Sequence, residues 1–319
     1  MTQSGTDKSG DSFKGTGIAP SAFWRFVQER VFTLEGVSDP WRDLTILLTG
    51  SRSVGLQHET SDVDVDILCP ARLYKVLHAK ALAARVIQST GSFLCIQRDA
   101  AAKAYFGAPL GNPHFSVTPL ETVQAHFAAF EDVPMWIWTH ARVAHDPRGQ
   151  FTAIRDRFSG YPRAERVRKI KFHWLAAAYF AINMRPREPD GILPAVAGLS
   201  NAILELLRVF FLVEDRPYPY PAKLMPCAKD TTLGREFCPL LSRAADEIAG
   251  DGGDRASAPE RLQEVFERLF CANLSEDAAR LQEACEAAMV AAGVPGPWVQ
   301  ADYENVDQLL NGELGPFMQ

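Results

Sequence analysis

The chain has 319 residues, of which 47% are hydrophobic, and a formal net charge of −6 at neutral pH. This length suits two domains, and the composition is ordinary for a soluble globular protein. The basic excess typical of nucleic-acid-binding proteins is missing, so the charge does not indicate a nucleic-acid partner. Six cysteines without a CxxC pair predict reduced thiols in a cytoplasmic protein. The sequence does not predict a secretion signal, because the N-terminus has no apolar core region, and its most apolar run is too short and too charged to predict a membrane span.

The first half of the chain alternates helix and strand patterns. Residues 1–17 are mostly small and polar, which predicts a disordered tail. Residues 18–146 are predicted to form an α/β domain. Apolar periodicity predicts helices over 21–34, 71–88 and 119–130, and strands over 44–49, 63–69, 92–97 and 114–118.

The second half is predicted to be all-helical. The turn sequence Asp146-Pro147-Arg148-Gly149 is the predicted boundary, and residues 147–319 form the second domain. Apolar faces with a period of 3.6 residues predict helices over 163–184, 193–213, 233–249, 259–271 and 275–292, the last with Ser275 as its N-cap. The predicted fold class is therefore an α/β domain followed by an all-helical domain.

One short stretch carries most of the chemical information. An apolar run ends on Gly50-Ser51, and Asp62, Asp64 and Asp66 then alternate with aliphatic residues. In a strand, alternation places the three acids on one face, with neighbours about 7 Å apart. Like charges at that distance repel each other, so the pattern favours a cation between them. The simpler alternative is a surface hairpin with a polar face.

These residue types suit metal-assisted chemistry on a phosphate. Mg²⁺ binds a few carboxylate oxygens together with phosphate oxygens, and two ions about 4 Å apart can activate the attacking oxygen and stabilise leaving pyrophosphate. Gly50 lets the backbone approach a phosphate, and Ser51 adds a hydroxyl and an N–H. Arg52 is placed to neutralise a triphosphate. The joint pattern therefore favours a metal site at Asp62 and Asp64 over the hairpin.

Gly50 and Ser51, followed by Ser61-Asp62-Val63-Asp64, resemble the signature of the DNA polymerase β-like nucleotidyltransferase superfamily. The nearest types are the bacterial aminoglycoside adenylyltransferases and the minimal nucleotidyltransferases. The resemblance implies a mixed β-sheet domain followed by a helical domain, two Mg²⁺ ions, and ATP as substrate. It also implies transfer of AMP to a hydroxyl of a small molecule such as an aminoglycoside-like antibiotic, with release of pyrophosphate. Ser61 joins Gly50, Ser51 and Arg52 as a nucleotide-binding residue.

Two further roles follow from the resemblance. Such enzymes usually carry a third carboxylate on a neighbouring strand, but the strand predicted over 114–118 has no acid. Glu121 and Asp66 are the candidate bases. His114 is also a candidate, although a structural role is favoured for it. Similar enzymes bring a lysine from the helical domain to the triphosphate. That residue is predicted to be Lys223, ahead of Lys229, and the alternative is a solvated surface lysine.

Three functions stay open at this point. The first is nucleotidyl transfer to a small molecule. The second is transfer to a protein side chain or a tRNA end, as in toxin–antitoxin relatives. The third is a catalytically silent nucleotide-binding regulatory protein, because the third carboxylate is missing. Trp136 and Trp138 could stack on a base, but core packing is favoured for both.

Overall fold

The computed structural model describes residues 12–34, 39–85, 103–106, 113–183, 192–249 and 258–295. The chain divides into two compact units, Met1–Ser159 and Gly160–Gln319. The first unit is mixed α/β and the second is helical, so the predicted fold class is confirmed. The division falls after the predicted turn at Asp146, because the fully buried ring of Phe151 packs against Trp138 within the first unit.

The first unit combines a sheet with short helices. In chain order its described elements are α1 (Pro20–Phe26, continued by a π-helical turn at Val27–Val31), α2 (Pro40–Asp43), β1 (Thr45–Thr49), α3 (Gly50–Ser53), β2 (Val63–Cys69), α4 (Ala71–Ala83), α5 (Lys103–Phe106), β3 (Pro113–Pro119), α6 (Leu120–Ala128), α7 (Asp132–His140), β4 (Arg142–His145) and α8 (Gln150–Asp156).

Among the described residues, four strands form one mixed sheet in the order β3-β2-β1-β4. β1 is antiparallel to both β2 and β4, whereas β2 and β3 are parallel. The strand predicted over 92–97 lies outside the described residues. The strand predicted over 114–118 is β3 and lies beside β2, as the sequence predicts.

Alternation along β2 separates a core face from a polar face. Val63, Val65 and Ile67 are buried in the hydrophobic core of the first unit. Phe115 on β3 joins them, and its ring stacks on that of Phe26 with centroids 4.4 Å apart. The acids of β2 are left on the opposite face, because successive side chains of a strand point to opposite sides.

Residues 12–17 are packed against the first unit, which differs from the predicted disordered tail. Phe13 and Thr16 are buried, and the Phe13 ring lies 4.9 Å from that of Phe23. A single aromatic side chain in a polar stretch supplies enough apolar area to hold the segment against the core. The rest of the predicted tail, residues 1–11, lies outside the described residues.

Trp136 and Trp138 lie on α7, and both are buried. Their predicted role in core packing is therefore confirmed. Trp138 also donates its indole N–H to His126 Nδ1 on α6, at 3.0 Å. Buried indoles need such a partner because an unpaired polar group in the core is costly.

Six helices make up the described part of the second unit. They are α9 (Arg163–Asn183), α10 (Ile192–Leu212), α11 (Pro221–Ala228), α12 (Thr232–Ala249), α13 (Ala258–Phe270) and α14 (Glu276–Ala291). Ser275 caps α14 as predicted, since its hydroxyl accepts a hydrogen bond from the N–H of Ala278. α10 is long and apolar enough to cross a membrane by composition alone, but 67% of its most apolar stretch is buried inside the protein.

A polar network is buried within these helices. Glu205 on α10 accepts a hydrogen bond from His173 Nδ1 on α9 at 2.5 Å, and it also pairs with Arg208. The other imidazole nitrogen of His173 lies 3.0 Å from the hydroxyl of Tyr218. Burial of Glu205 opposes its charged form, but His173 and Arg208 outweigh burial and hold the pKa of this carboxyl below its usual range.

The network predicts how stability depends on pH. Because the pKa of Glu205 is lowered in the folded state, its ionised form stabilises the protein above the unfolded-state pKa of about 4.3. That contribution is lost as the pH falls through the lower folded-state pKa. We therefore expect Glu205→Gln to reduce the free energy of unfolding by about 3 kcal/mol at pH 7. Urea unfolding followed by circular dichroism at pH 7, 5 and 3.5 measures this difference.

Glu260→Gln is the matched control, since Glu260 is exposed on α13. It should change stability little at any of these pH values. A Glu205→Gln protein as stable as the wild type at pH 7, or one whose deficit does not shrink in acid, contradicts the assigned network.

Candidate functional site

The site begins at Gly50, which follows β1 directly. Gly50 has a φ of +68°, a left-handed conformation that favours glycine. A Cβ added there would lie 1.9 Å from Oδ2 of Asp64, so the carboxylate rests directly on the backbone of the turn. Both the conformation and the space therefore require glycine at this position.

Strand register brings the remaining groups together. Asp64 on β2 is paired with Thr49 on β1 and with His114 on β3. His114 Nδ1 lies 3.1 Å from Asp64 Oδ1, and its Nε2 lies 3.4 Å from Asp62 Oδ2. The imidazole ring thus spans both carboxylates, with the Gly50-Ser51 turn on the other side of Asp64.

Asp66 is held differently from the other two acids. Its carboxyl accepts hydrogen bonds from Thr49 Oγ1 at 2.8 Å and from the hydroxyl of Ser116. Burial raises the pKa of Asp66, although these two hydrogen bonds work against the shift. This geometry favours a structural role that links β1, β2 and β3 over the predicted role as a base.

Arg52 is buried, with only 2% of its surface exposed. Its guanidinium donates five hydrogen bonds of 2.6–3.2 Å to backbone carbonyls. The accepting carbonyls are those of Thr16, Glu59, Ser61 and Asp62. The arrangement favours a structural role for Arg52, which fixes the segment leading into β2, over the predicted contact with a triphosphate.

The other predicted residues fall in three places. The Ser61 hydroxyl accepts from the N–H of His58 within the loop before β2. Glu121 accepts from the N–H of Ala71 at 2.9 Å, beyond the far end of β2 and about 20 Å along the strand from the acids. The structure therefore does not bring Glu121 to Asp62 and Asp64. Lys223 lies on α11 in the second unit, and its role at a triphosphate stays a prediction.

The two acids fit a metal that arrives with its substrate. Among the described residues, no group of three or more His, Cys, Asp and Glu side chains is arranged to hold a metal ion. Mg²⁺ needs no such cage, because it usually keeps several waters and binds through one or two carboxylates plus phosphate oxygens. Asp62 and Asp64 supply two such carboxylates, and Asp64 lies against Gly50, which has no Cβ.

The structure places His114, a further candidate base from the sequence, against both Asp62 and Asp64. The sequence offers one signal for it, the polar alternation of His114, Ser116 and Thr118 along a predicted strand. The parallel register pairs Asp64 with His114 and Asp66 with Ser116. The alternation therefore places His114 and Ser116 on the face of the sheet that carries the two acids of β2.

Comparison with known proteins gives two similarities. Residues 128–223 match a domain of unknown function, DUF4037, over less than half of the chain. The structure of a nucleotidyltransferase-like protein from Exiguobacterium sibiricum 255-15 is 8% identical with a TM-score of 0.38, covering 83% of this chain and 79% of that one. No curated protein matches the chain. Similarities this distant assign no activity to the chain.

Gly50 provides a test of the site with an internal control. Gly55 also has a left-handed φ, of +75°, but a Cβ there meets nothing within 4 Å. Gly55→Ala should cost about 1–2 kcal/mol from backbone strain alone. Gly50→Ala carries the same strain and also collides with Asp64, so it should cost more in urea unfolding. Equal losses for the two variants would mean that the Asp64 contact is unimportant.

Proposed function

We propose that the protein is a metal-dependent nucleotidyltransferase that moves a nucleoside monophosphate, AMP from ATP, to a hydroxyl of a small molecule. One observation carries the proposal. The carboxylate of Asp64 rests on the backbone of the Gly50-Ser51 turn, and His114 contacts both Asp64 and Asp62. A phosphate on the turn would therefore lie next to two carboxylates and a histidine.

In this proposal Gly50 and Ser51 bind the phosphates of ATP through the backbone and the serine hydroxyl. Asp62 and Asp64 hold Mg²⁺, which neutralises phosphate charge and lowers the pKa of a bound hydroxyl when present. Asp66 and Arg52 have a structural role in this proposal. Asp66 links β2 to Thr49 on β1, and Arg52 binds a carbonyl of the segment that leads into β2.

His114 is the proposed base. The acceptor oxygen bonds to the α-phosphorus, the bond from that phosphorus to the β-phosphate oxygen breaks, and pyrophosphate leaves. The hydroxyl proton passes to His114. Asp64 orients the ring by accepting from Nδ1, and the carboxylate of Asp62, 3.4 Å from Nε2, favours a proton on that nitrogen. An imidazole is well suited to this task near neutral pH.

The acceptor is proposed from charge alone. A net charge of −6 favours a cationic small molecule of the aminoglycoside type over an anionic nucleic acid. Transfer to a protein side chain or a tRNA end uses the same atoms and is therefore an outcome that the assay must cover. The proposed enzyme is cytoplasmic.

The acids give the first test of this function. Asp62→Asn and Asp64→Asn each remove a charge that a metal needs, so pyrophosphate release should fall more than about a hundredfold. Titration calorimetry should show weaker binding of MgATP. Asp156→Asn makes the same change at an exposed position on α8 and is the matched control.

The assay mixes protein and MgATP with aminoglycosides, small alcohols, tRNA and protein extracts in separate reactions. If Asp62→Asn or Asp64→Asn releases pyrophosphate at the wild-type rate, the changed residue is not a metal ligand. A wild-type protein that binds MgATP but releases no pyrophosphate with any acceptor supports the silent regulatory protein instead.

The base is tested by comparing three replacements. His114→Ala should slow transfer by about a hundredfold to ten-thousandfold, the usual contribution of a general base. Glu121→Gln should leave the rate of transfer unchanged, because Glu121 lies at the far end of β2. Asp66→Asn should alter stability more than the chemical step. If Glu121→Gln loses nucleotidyl transfer and His114→Ala keeps it, Glu121 rather than His114 is the base.

A further inference from the structure

Thr16 is the most enclosed residue of the N-terminal segment, which comprises residues 12–17. It is fully buried, although its side chain carries a hydroxyl. The hydroxyl donates to the carbonyl of Phe13 at 2.7 Å and accepts from the N–H of Ile18 at 3.2 Å. Because both bonds join the side chain to neighbouring backbone groups, they fix the direction in which the carbonyl of Thr16 points.

That carbonyl is directed at Arg52. It accepts a hydrogen bond from Nη1 of the guanidinium at 2.6 Å. The other two nitrogens of the guanidinium, Nε and Nη2, donate to carbonyls of the loop before β2, among them those of Ser61 and Asp62. One rigid, planar group therefore connects Thr16 to Asp62.

The loop over residues 54–62 depends on this connection. None of its residues is buried, so apolar packing contributes little to its position. The loop is instead held by hydrogen bonds, of which Arg52 supplies four. It ends in Asp62, whose partly exposed carboxylate lies 3.4 Å from His114 Nε2. The position of that carboxylate is therefore sensitive to the position of Arg52.

The N-terminal segment is anchored to the first unit independently of α3. The ring of Phe13 is buried against that of Phe23, and the carbonyl of Lys14 accepts a hydrogen bond from Arg142 on β4. These contacts lie on either side of the sheet's core and edge, so the segment is held at more than one point. Thr16 therefore has a fixed position from which its carbonyl can orient a neighbouring guanidinium.

We propose that Thr16 is a positioning residue for Asp62, and that it acts through Arg52 on the loop that carries this acid. The inference rests on the proposed function, because it takes Asp62 as a ligand of the Mg²⁺ that enters with ATP. Mg²⁺ demands near-ideal octahedral geometry, so a carboxylate that shifts in position binds it more weakly.

Two replacements of Thr16 that differ in the hydroxyl test the proposal. Thr16→Val keeps a similar shape but removes both side-chain hydrogen bonds, whereas Thr16→Ser keeps the hydroxyl. In Thr16→Val, amides over residues 54–62 should exchange about two- to tenfold faster, the change expected from the loss of one hydrogen bond. The Mg²⁺ concentration for half-maximal pyrophosphate release should rise by a similar factor, while the rate at saturating Mg²⁺ stays close to that of the wild type. Thr16→Ser should behave like the wild type in both measurements.

A second pair of variants changes the contact with Arg52 directly. A Cβ at Gly17 would lie 3.1 Å from Nη1 of Arg52, whereas a Cβ at Gly15 meets nothing within 4 Å. Both glycines have a left-handed φ, of +72° and +74°, so Gly15→Ala controls for backbone strain. Gly17→Ala should therefore accelerate exchange over residues 54–62 more than Gly15→Ala does.

Exchange over residues 120–140, in α6 and α7, is the internal reference and should match the wild type. Faster exchange there as well as in the loop means that Thr16 only stabilises the fold, which overturns the proposal. Unchanged exchange over residues 54–62 in Thr16→Val, or an unchanged Mg²⁺ requirement in an active protein, also overturns it. If exchange of the loop rises but the wild type neither binds MgATP nor releases pyrophosphate, the proposed function fails, whereas the link from Thr16 to the loop stands.

Discussion

The contact between the Asp64 carboxylate and the backbone of Gly50 governs the arrangement of the first unit's site. It depends on the antiparallel pairing that sets Thr49 against Asp64, and it requires a left-handed residue without a Cβ where β1 ends. Once Asp64 is fixed there, the parallel pairing with β3 places His114 beside it. The turn, the acids and the histidine are therefore positioned by strand pairing, which is more rigid than a loop.

Buried polar groups support this site from behind. Arg52 is enclosed by backbone carbonyls that belong to the N-terminal segment and to the loop before β2. A cation in the interior is tolerated only when its N–H donors are paired. The hydrogen bonds of Arg52 tie its own helix, α3, to the N-terminal segment and to the loop before β2. A similar principle operates in the second unit, where Glu205 and His173 use charge and hydrogen bonds to fix the approach to α11.

The sequence predicted the two-part architecture, the alternation along β2 and the Gly50-Ser51 turn, because each follows from local periodicity or backbone geometry. It named His114 only as a further candidate base and could not give its contacts with Asp62 and Asp64, because the parallel register of β2 and β3 is set across a long connection rather than by neighbouring residues. It could not show that Arg52 is buried, because the burial of a charged side chain depends on carbonyls that are distant in the sequence. Glu121 looked suitable from its position after β3, but β3 carries it to the opposite end of the sheet.

The enclosure of Asp66 shapes the charge distribution of the whole acidic face. Burial raises the pKa of Asp66, and its carboxyl is enclosed by the hydroxyls of Thr49 and Ser116. The side chains of Asp62 and Asp64, in contrast, are partly exposed at the N-terminal end of β2. A cation approaching this face is thereby drawn to one end of the strand instead of being shared along its length.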